Sequence, residues 1–170
     1  LASPIVGEHL AEHCLACGLS LPYLRTVVMG GAPVFAPLMR KMAQIAPGAA
    51  VTALYGSSEA EPMALLRQSE IRAADLRATR DGAGVLAGTP VKEIRLAVIV
   101  DRWGKPLGSL SAADWAALCL PAGQVGEVVV HGAHVSPGYL DAQGNAETKF
   151  RVEGETWHRT GDAGWLDEEG

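Results

Sequence analysis

Five consecutive residues, Tyr55-Gly56-Ser57-Ser58-Glu59, combine an aromatic face, a flexible backbone, two hydroxyls and a carboxylate. This set could hold a nucleotide and its metal. A tyrosine ring can stack on a base. Gly56 lets the backbone approach a phosphate closely. The Ser57 and Ser58 hydroxyls and the exposed N–H groups can bind phosphate oxygens, and Glu59 can hold a Mg²⁺ that the phosphates also bind. Taken alone, the pentapeptide reads more simply as a strand followed by a polar turn. Its weight depends on the rest of the chain.

Other residues invite chemistry more weakly. His9 and His13 stand four apart, and Cys14 and Cys17 form a C-x-x-C, so one helix could carry four metal donors. Both cysteines, however, share a helical stripe with Val6 and Leu10, where core residues belong. Zinc sites draw their ligands from separate segments, and no second Cys or His pair stands nearby. Packing is therefore the expected role of the two cysteines. Gly30-Gly31-Ala32-Pro33 follows an apolar run, and glycines at the carboxyl end of a strand in an α/β sheet are where ligands meet backbone; a plain strand-to-helix turn would use the same residues. Neither G-x-G-x-x-G nor G-x-x-x-x-G-K occurs, and no Ser/His/Asp set suggests a covalent nucleophile.

The 170 residues suffice for one domain or two small ones. At 48% hydrophobic and 19% charged, the composition is that of an ordinary globular protein. The net charge of −5 is spread along the chain, which argues against a nucleic-acid partner. No apolar run is long enough for a transmembrane segment. Three cysteines, an odd number, fit a reducing cytoplasm better than a disulfide framework. The chain lacks an initiator Met and a signal peptide and stops on a turn signal, so both ends are expected to be cuts within a longer protein.

The elements that would position these residues alternate. Ser3-Pro4 opens a helix that Gly18 closes. Residues 24–29 read as a buried strand. Pro37 opens a second helix with Leu38, Met39, Met42, Ile45 and Ala46 inward. Val51 to Leu54 is a second strand, ending at Tyr55. This order predicts an α/β fold, a parallel-sheet portion with helical cover. A glycine-rich stretch from Asp81 to Pro90 marks a boundary, giving an α/β portion over 1–86 and a β portion over 87–170. In the second portion, Ile94, Leu96, Val98 and Val100 alternate as a half-exposed strand. Asp101 to Gly104, including Trp103, is a turn. Ser111 and Asp114 form a capping box for a short helix ending at Leu118, and Gly126 to Gly132 is a further strand. Trp165 to Gly170 is expected to begin a strand and a hairpin turn.

Three blocks in fixed order then become specific: Tyr55-Gly56-Ser57-Ser58-Glu59, the stretch from Gly123-Gln124-Val125-Gly126-Glu127 through Gly132 to Gly138-Tyr139, and Trp157-His158-Arg159-Thr160-Gly161-Asp162. Together they resemble the adenylate-forming (AMP-binding) superfamily of acyl-CoA synthetases, peptide-synthetase adenylation domains and luciferases. The resemblance runs from about Leu24 to the end. It implies an ATP-dependent ligase in which a fatty or other carboxylic acid attacks the α-phosphate, pyrophosphate leaves, and the acyl-adenylate passes to CoA or a carrier-protein thiol. Such chemistry needs cations and aligned donors, because charge builds on the α-phosphate.

By this resemblance Tyr55 stacks on adenine, and Gly30, Gly31 and Ala32 line the adenine and acyl pocket. Ser58 replaces the family's usual Thr and keeps its hydroxyl for the phosphate. Glu59 holds Mg²⁺, and Asp162 accepts both ribose hydroxyls. Gly126, Glu127, Gly138 and Tyr139 take structural places in a small distorted β-barrel. For Asp162 alone, turn capping after Gly161 would be the simpler reading. The family's phosphate loop would lie upstream, and its hinge, second ribose ligand and adenylation lysine downstream. The chain is thus expected to be a middle segment, inactive by itself. The Ser109–Pro121 stretch and Ala60-Glu61-Pro62-Met63 resemble fatty-acid ligases, particularly those of bacterial olefin biosynthesis, which close a β-lactone from β-hydroxy acids. A nucleotide-binding remnant without chemistry is the third alternative; Glu59 and Asp162 argue against it, since a pocket released from chemistry needs no metal carboxylate.

Overall fold

The computed structural model describes residues 1–102 and 104–168. Trp103, within the turn expected over 101–104, and the last two residues of the expected terminal hairpin lie outside the described residues. The chain divides into two compact units, one of residues 1–56 and 64–89, the other of 57–63 and 90–170.

The first unit begins with α1 (Pro4–Ala16), which has Pro in its first turn and Ser3 in an extended conformation before it. Gly18, at φ +63°, ends the segment in the left-handed conformation that glycine adopts most easily. Its buried face is Gly7, Ala11 and Cys14, offset from the expected stripe, while Val6 and Leu10 are exposed. The offset has a steric cause. A Cβ on Gly7 would stand 2.7 Å from Met29 Sδ, so the helix turns its small residues inward to approach the strand β1 (Thr26–Met29) closely. The helix α2 (Ala36–Ile45) buries Leu38, Met39, Met42 and Ile45, as its spacing predicts. These side chains join Ala11, Cys14, Met29, Val34, Ala46, Val51, Ala53 and Leu66 in one apolar core.

The strand β2 (Ala50–Ser57) pairs in parallel with β1, with Thr26 opposite Ala50 and Met29 opposite Ala53. Only residues 51–54 were expected to be strand; the extension puts Tyr55, Gly56 and Ser57 on β2 itself. Ser58 and Glu59 then link β2 to β3 (Ala60–Arg67). A 3₁₀ turn over Gln68–Glu70, α3 (Ala73–Arg80) and β4 (Thr89–Pro90) follow. The sheet order is β1-β2-β3-β4. The two-residue link makes β2 and β3 an antiparallel hairpin beside the parallel pair β1 and β2, so the sheet is mixed.

The second unit holds β5 (Ile94–Ile99), β6 (Ser109–Leu110), α4 (Ala112–Leu118), β7 (Gly126–Gly132), α5 (Asn145–Thr148), β8 (Lys149–Val152) and β9 (Glu155–Gly164). The strands form one sheet in the order β5-β7-β9-β8-β6. This order has two ends, so the distorted barrel expected here is an open sheet among the described residues. The capping box of α4 is formed, with Ser111 Oγ accepting from Asp114 N–H at 3.2 Å and Asp114 Oδ2 from Ser111 N–H at 3.3 Å. The side of β5 expected to face solvent is partly covered, because Trp115 and Leu118 of α4 pack with Ala97 against a core of Ile99, Val129, Phe150, Val152 and Trp157. Trp115 and Trp157 lie 4.6 Å apart between ring centroids. Gly126 fits a close approach, since a Cβ there would stand 2.1 Å from Ile99 O. Among the described residues the expected terminal strand does not form, as β9 ends at Gly164 and residues 165–167 are irregular.

Candidate functional site

The sequence-predicted residues fall into two groups. In the first unit, Gly30, Gly31 and Ala32 leave the carboxyl end of β1. Gly30 is buried, and a Cβ on it would stand 3.0 Å from Leu54 O, so this backbone lies against the strand residue preceding Tyr55. Gly31 has φ +80°, and Ala32 is exposed. Tyr55 and Gly56 are half-buried near the end of β2. The structure thus brings the glycine turn and the tyrosine to the same end of two parallel, paired strands.

In the second unit, the hairpin tip places Ser58 in solvent and Glu59 half-buried. Glu59 is tied at three points. Its N–H donates to Ser57 Oγ at 3.3 Å, and its carbonyl accepts from Ser136 N–H at 2.7 Å. Its Oε1 accepts from the Tyr139 hydroxyl at 2.9 Å. That last hydrogen bond is the main reason the Glu59 carboxyl titrates below its ordinary range, against the opposing effect of burial. Glu59 is therefore an ionised, oriented oxygen donor at neutral pH.

Sequence reasoning gives Tyr139 a mainly structural place, and the structure adds its hydroxyl's hydrogen bond to Glu59. Its N–H donates to Asn145 Oδ1 at 2.8 Å. Lys149 lies over its ring, with Nζ 5.7 Å from the centroid, and donates to Ser136 O at 2.6 Å. Burial pushes the Lys149 ammonium and the His158 imidazole to lower pKa. No motif marked Lys149, and its strand, with two charged residues in four, gave no signal.

The Thr160-Gly161-Asp162 block is neither a plain turn nor a regular strand. On β7, Glu127 and Val129 pair with Ala163 and Arg159 of β9, so the single residue Val128 spans three on the other side. Those three form a bulge, which re-aims side chains and ends regular pairing. Gly161 supplies φ +76°. Thr160 Oγ1 donates to Val128 O at 2.9 Å and accepts from Asp162 N–H at 3.0 Å. Asp162 is thereby presented in solvent on a pinned backbone. Beneath it runs a buried ion pair that sequence reasoning also missed. Arg159 is 1% exposed and Glu127 4%. Arg159 Nε donates to both Glu127 oxygens at 3.0 Å, and its Nη1 to Lys105 O at 2.9 Å and Glu147 O at 3.2 Å. Two charges inside apolar β motifs were the available signal.

Among the described residues, no group of three His, Cys, Asp or Glu could hold a metal ion. Cys14 belongs to the core, and exposed Cys17 lies 4.0 Å from His13 Nε2, which leaves the C-x-x-C as packing and surface. The single carboxylate of Glu59 fits only a cation that takes its other ligands from phosphate and water, which is the habit of Mg²⁺.

The first unit thus has helices packed with a mixed sheet, and the second carries Glu59 on a hairpin tip and Asp162 on a bulge. Residues 3–140 match the family of AMP-binding enzymes, and the chain belongs to that family. It is 30% identical over 178 residues to an olefin beta-lactone synthetase of Xanthomonas campestris, covering 99% of this chain and 30% of that protein. It is 31% identical over 170 residues to 4-coumarate–CoA ligase 1 of Oryza sativa, covering 99% of this chain and 26% of the relative. Its fold matches a long-chain-fatty-acid–CoA ligase of Archaeoglobus fulgidus with a TM-score of 0.70 at 23% identity, over 99% of this chain and 32% of that one. The chain thus spans less than a third of these relatives. No helix among the described residues is long and apolar enough to cross a membrane.

Proposed function

We propose that this chain is part of an enzyme that uses ATP to convert a carboxylic acid, most simply a fatty acid, into acyl-AMP and then acyl-CoA. The observation that carries the reading is Glu59, held ionised and half-buried at the tip of a Tyr-Gly-Ser-Ser-Glu hairpin. In this reading Glu59 holds Mg²⁺, which supplies positive charge to the phosphates as the α-phosphate is attacked. Ser57, Ser58 and the Gly56 backbone bind phosphate oxygens. Tyr55 stacks on adenine beside the Gly30-Gly31-Ala32 backbone, and Asp162 accepts the two ribose hydroxyls. CoA, or a carrier-protein thiol, takes the acyl group. A reducing cytoplasmic setting suits three cysteines that are all free thiols.

A second reading has a specific observation behind it, the 30% identity across nearly the whole chain to an olefin beta-lactone synthetase. There the adenylate of a β-hydroxy acid would close on its own hydroxyl. Product formed without CoA from a β-hydroxy acid selects this reading; strict CoA dependence selects the first.

The test of the shared first half is nucleotide binding by the protein carrying this chain. Loss of two hydrogen bonds to a carboxylate at an exposed position amounts to about 1–3 kcal/mol. Asp162→Ala is therefore expected to weaken binding of a stable acyl-adenylate analogue by roughly 5- to 150-fold. Wild-type affinity in calorimetry would refute the ribose role.

A further inference from the structure

We propose that Tyr139 and Lys149 are positioning residues for the Glu59 carboxylate, together setting its affinity for the nucleotide's divalent cation. The proposal rests on the reading of Glu59 as the metal carboxylate. All the residues involved lie in the second unit.

Two routes run from one buried ammonium to Glu59. Along the first, Lys149 Nζ donates to Ser136 O at 2.6 Å, and the N–H of the same Ser136 donates to Glu59 O at 2.7 Å. This fixes the main chain of Glu59. Along the second, Lys149 lies over the Tyr139 ring, whose hydroxyl donates to Glu59 Oε1 at 2.9 Å. This fixes the side chain. Between the routes, Ser136 Oγ donates to Gly138 O at 2.9 Å and Asn145 Oδ1 accepts from Tyr139 N–H at 2.8 Å, which shapes the connecting loop. Gly138 is tight there, since a Cβ on it would stand 2.9 Å from Asn145 Nδ2.

The energetics favour a role in positioning over incidental packing. A lysine only 9% exposed is costly to bury, and a hydrophobic side chain would fill its place on β8 at less expense. What the ammonium adds is a charge-assisted bond to the loop and an attraction to the phenol face. A phenol holding one oxygen of a carboxylate limits its rotation and leaves the other oxygen for a cation. Partners behind a metal ligand commonly change metal affinity by about 10- to 100-fold when removed.

The test uses the protein carrying this chain and three variants, Glu59→Gln, Tyr139→Phe and Lys149→Met. Mn²⁺ serves as the probe, its binding followed by electron paramagnetic resonance with a non-hydrolysable ATP analogue present. Metal-free AMP affinity and melting temperature are measured alongside. Tyr139→Phe and Lys149→Met are each expected to weaken Mn²⁺ binding about tenfold or more, with AMP affinity unchanged. Tyr139→Phe removes one oxygen atom and keeps the ring, so it remains a fair test should Lys149→Met fold poorly. If Glu59→Gln loses Mn²⁺ and Tyr139→Phe binds it as the wild type does, positioning is overturned while Glu59 keeps its role. If Glu59→Gln itself binds Mn²⁺ normally, the metal reading of Glu59 fails and the inference with it. Equal losses of Mn²⁺ and AMP in Tyr139→Phe would mean general damage and would also overturn the proposal.

Discussion

Replacing Arg159 with Met should destabilise the second unit more than any surface change. Arg159 is 1% exposed, and its guanidinium satisfies both oxygens of Glu127, itself 4% exposed, together with the carbonyls of Lys105 and Glu147. Methionine fills much of the same volume but offers no donor. Glu127 would be left as a buried charge without its cation, a change that costs about 3–5 kcal/mol. Two carbonyls would also lose a donor, which adds roughly 1 kcal/mol or more. Part of this is recovered if Glu127 takes up a proton, so a net loss of about 3–5 kcal/mol is expected. Urea denaturation followed by tryptophan fluorescence reads it directly, because Trp115 and Trp157 pack in this unit's core. The double variant Arg159→Met, Glu127→Leu is the control. With both charges gone it should regain most of the loss, since a buried ion pair is often no better than a well-packed apolar pair. A single variant within about 1 kcal/mol of the wild type, or a double variant no better than the single, would show that the pair is not what holds β7 to β9 beside the bulge.

Two further predictions concern the same unit. His158 is pushed below its ordinary value of 6.5, mainly by burial and then by the Lys149 charge. The unfolded chain therefore takes up a proton before the folded one as pH falls. Stability should be fully present above about pH 6.5 and decline toward the lower folded value, and His158→Gln should flatten that slope in denaturant titrations across pH. Ser111→Ala removes the oxygen that caps α4 at Asp114 N–H and should cost about 1 kcal/mol in the same assay, whereas Ser111→Asp should cost much less.

Elements whose signals are local could be read from the sequence. The spacing of Leu38, Met42 and Ile45 gave α2 its buried face, and Ser111 with Asp114 gave α4 its cap. Elements set by what packs against them could not. The face of α1 follows from the room Gly7 leaves for Met29, which helical spacing of Val6 and Leu10 does not encode. The Tyr55–Glu59 block looked like a turn because its residues are polar, yet three of the five lie on β2, where pairing outweighs propensity. Sheet closure depends on how strand edges meet across long sequence separations, and among the described residues the strands of the expected barrel form an open sheet. For the candidate site, the carboxylates were visible as motif residues. Of their supports, Tyr139 and Arg159 stood in the same blocks but Lys149 in none, and the partners of all three were hidden, because these bonds act across 12 to 80 residues of chain.

The backbone passes between the two compact units three times, at 56/57, 63/64 and 89/90. Neither unit is therefore a contiguous stretch of gene. A clone starting at Pro90 would carry β5 to β9 with Asp162 but would lack Glu59, leaving the Tyr139 hydroxyl without its acceptor and Ser136 N–H without its carbonyl. Recombination at the glycine-rich 81–88 stretch, which reads as a natural seam, would pair one protein's residue 59 with another protein's support for it. Chimeras joined there should work only when both parents carry compatible residues at positions 59, 139 and 149, so the hairpin tip has to be inherited together with the sheet that holds it.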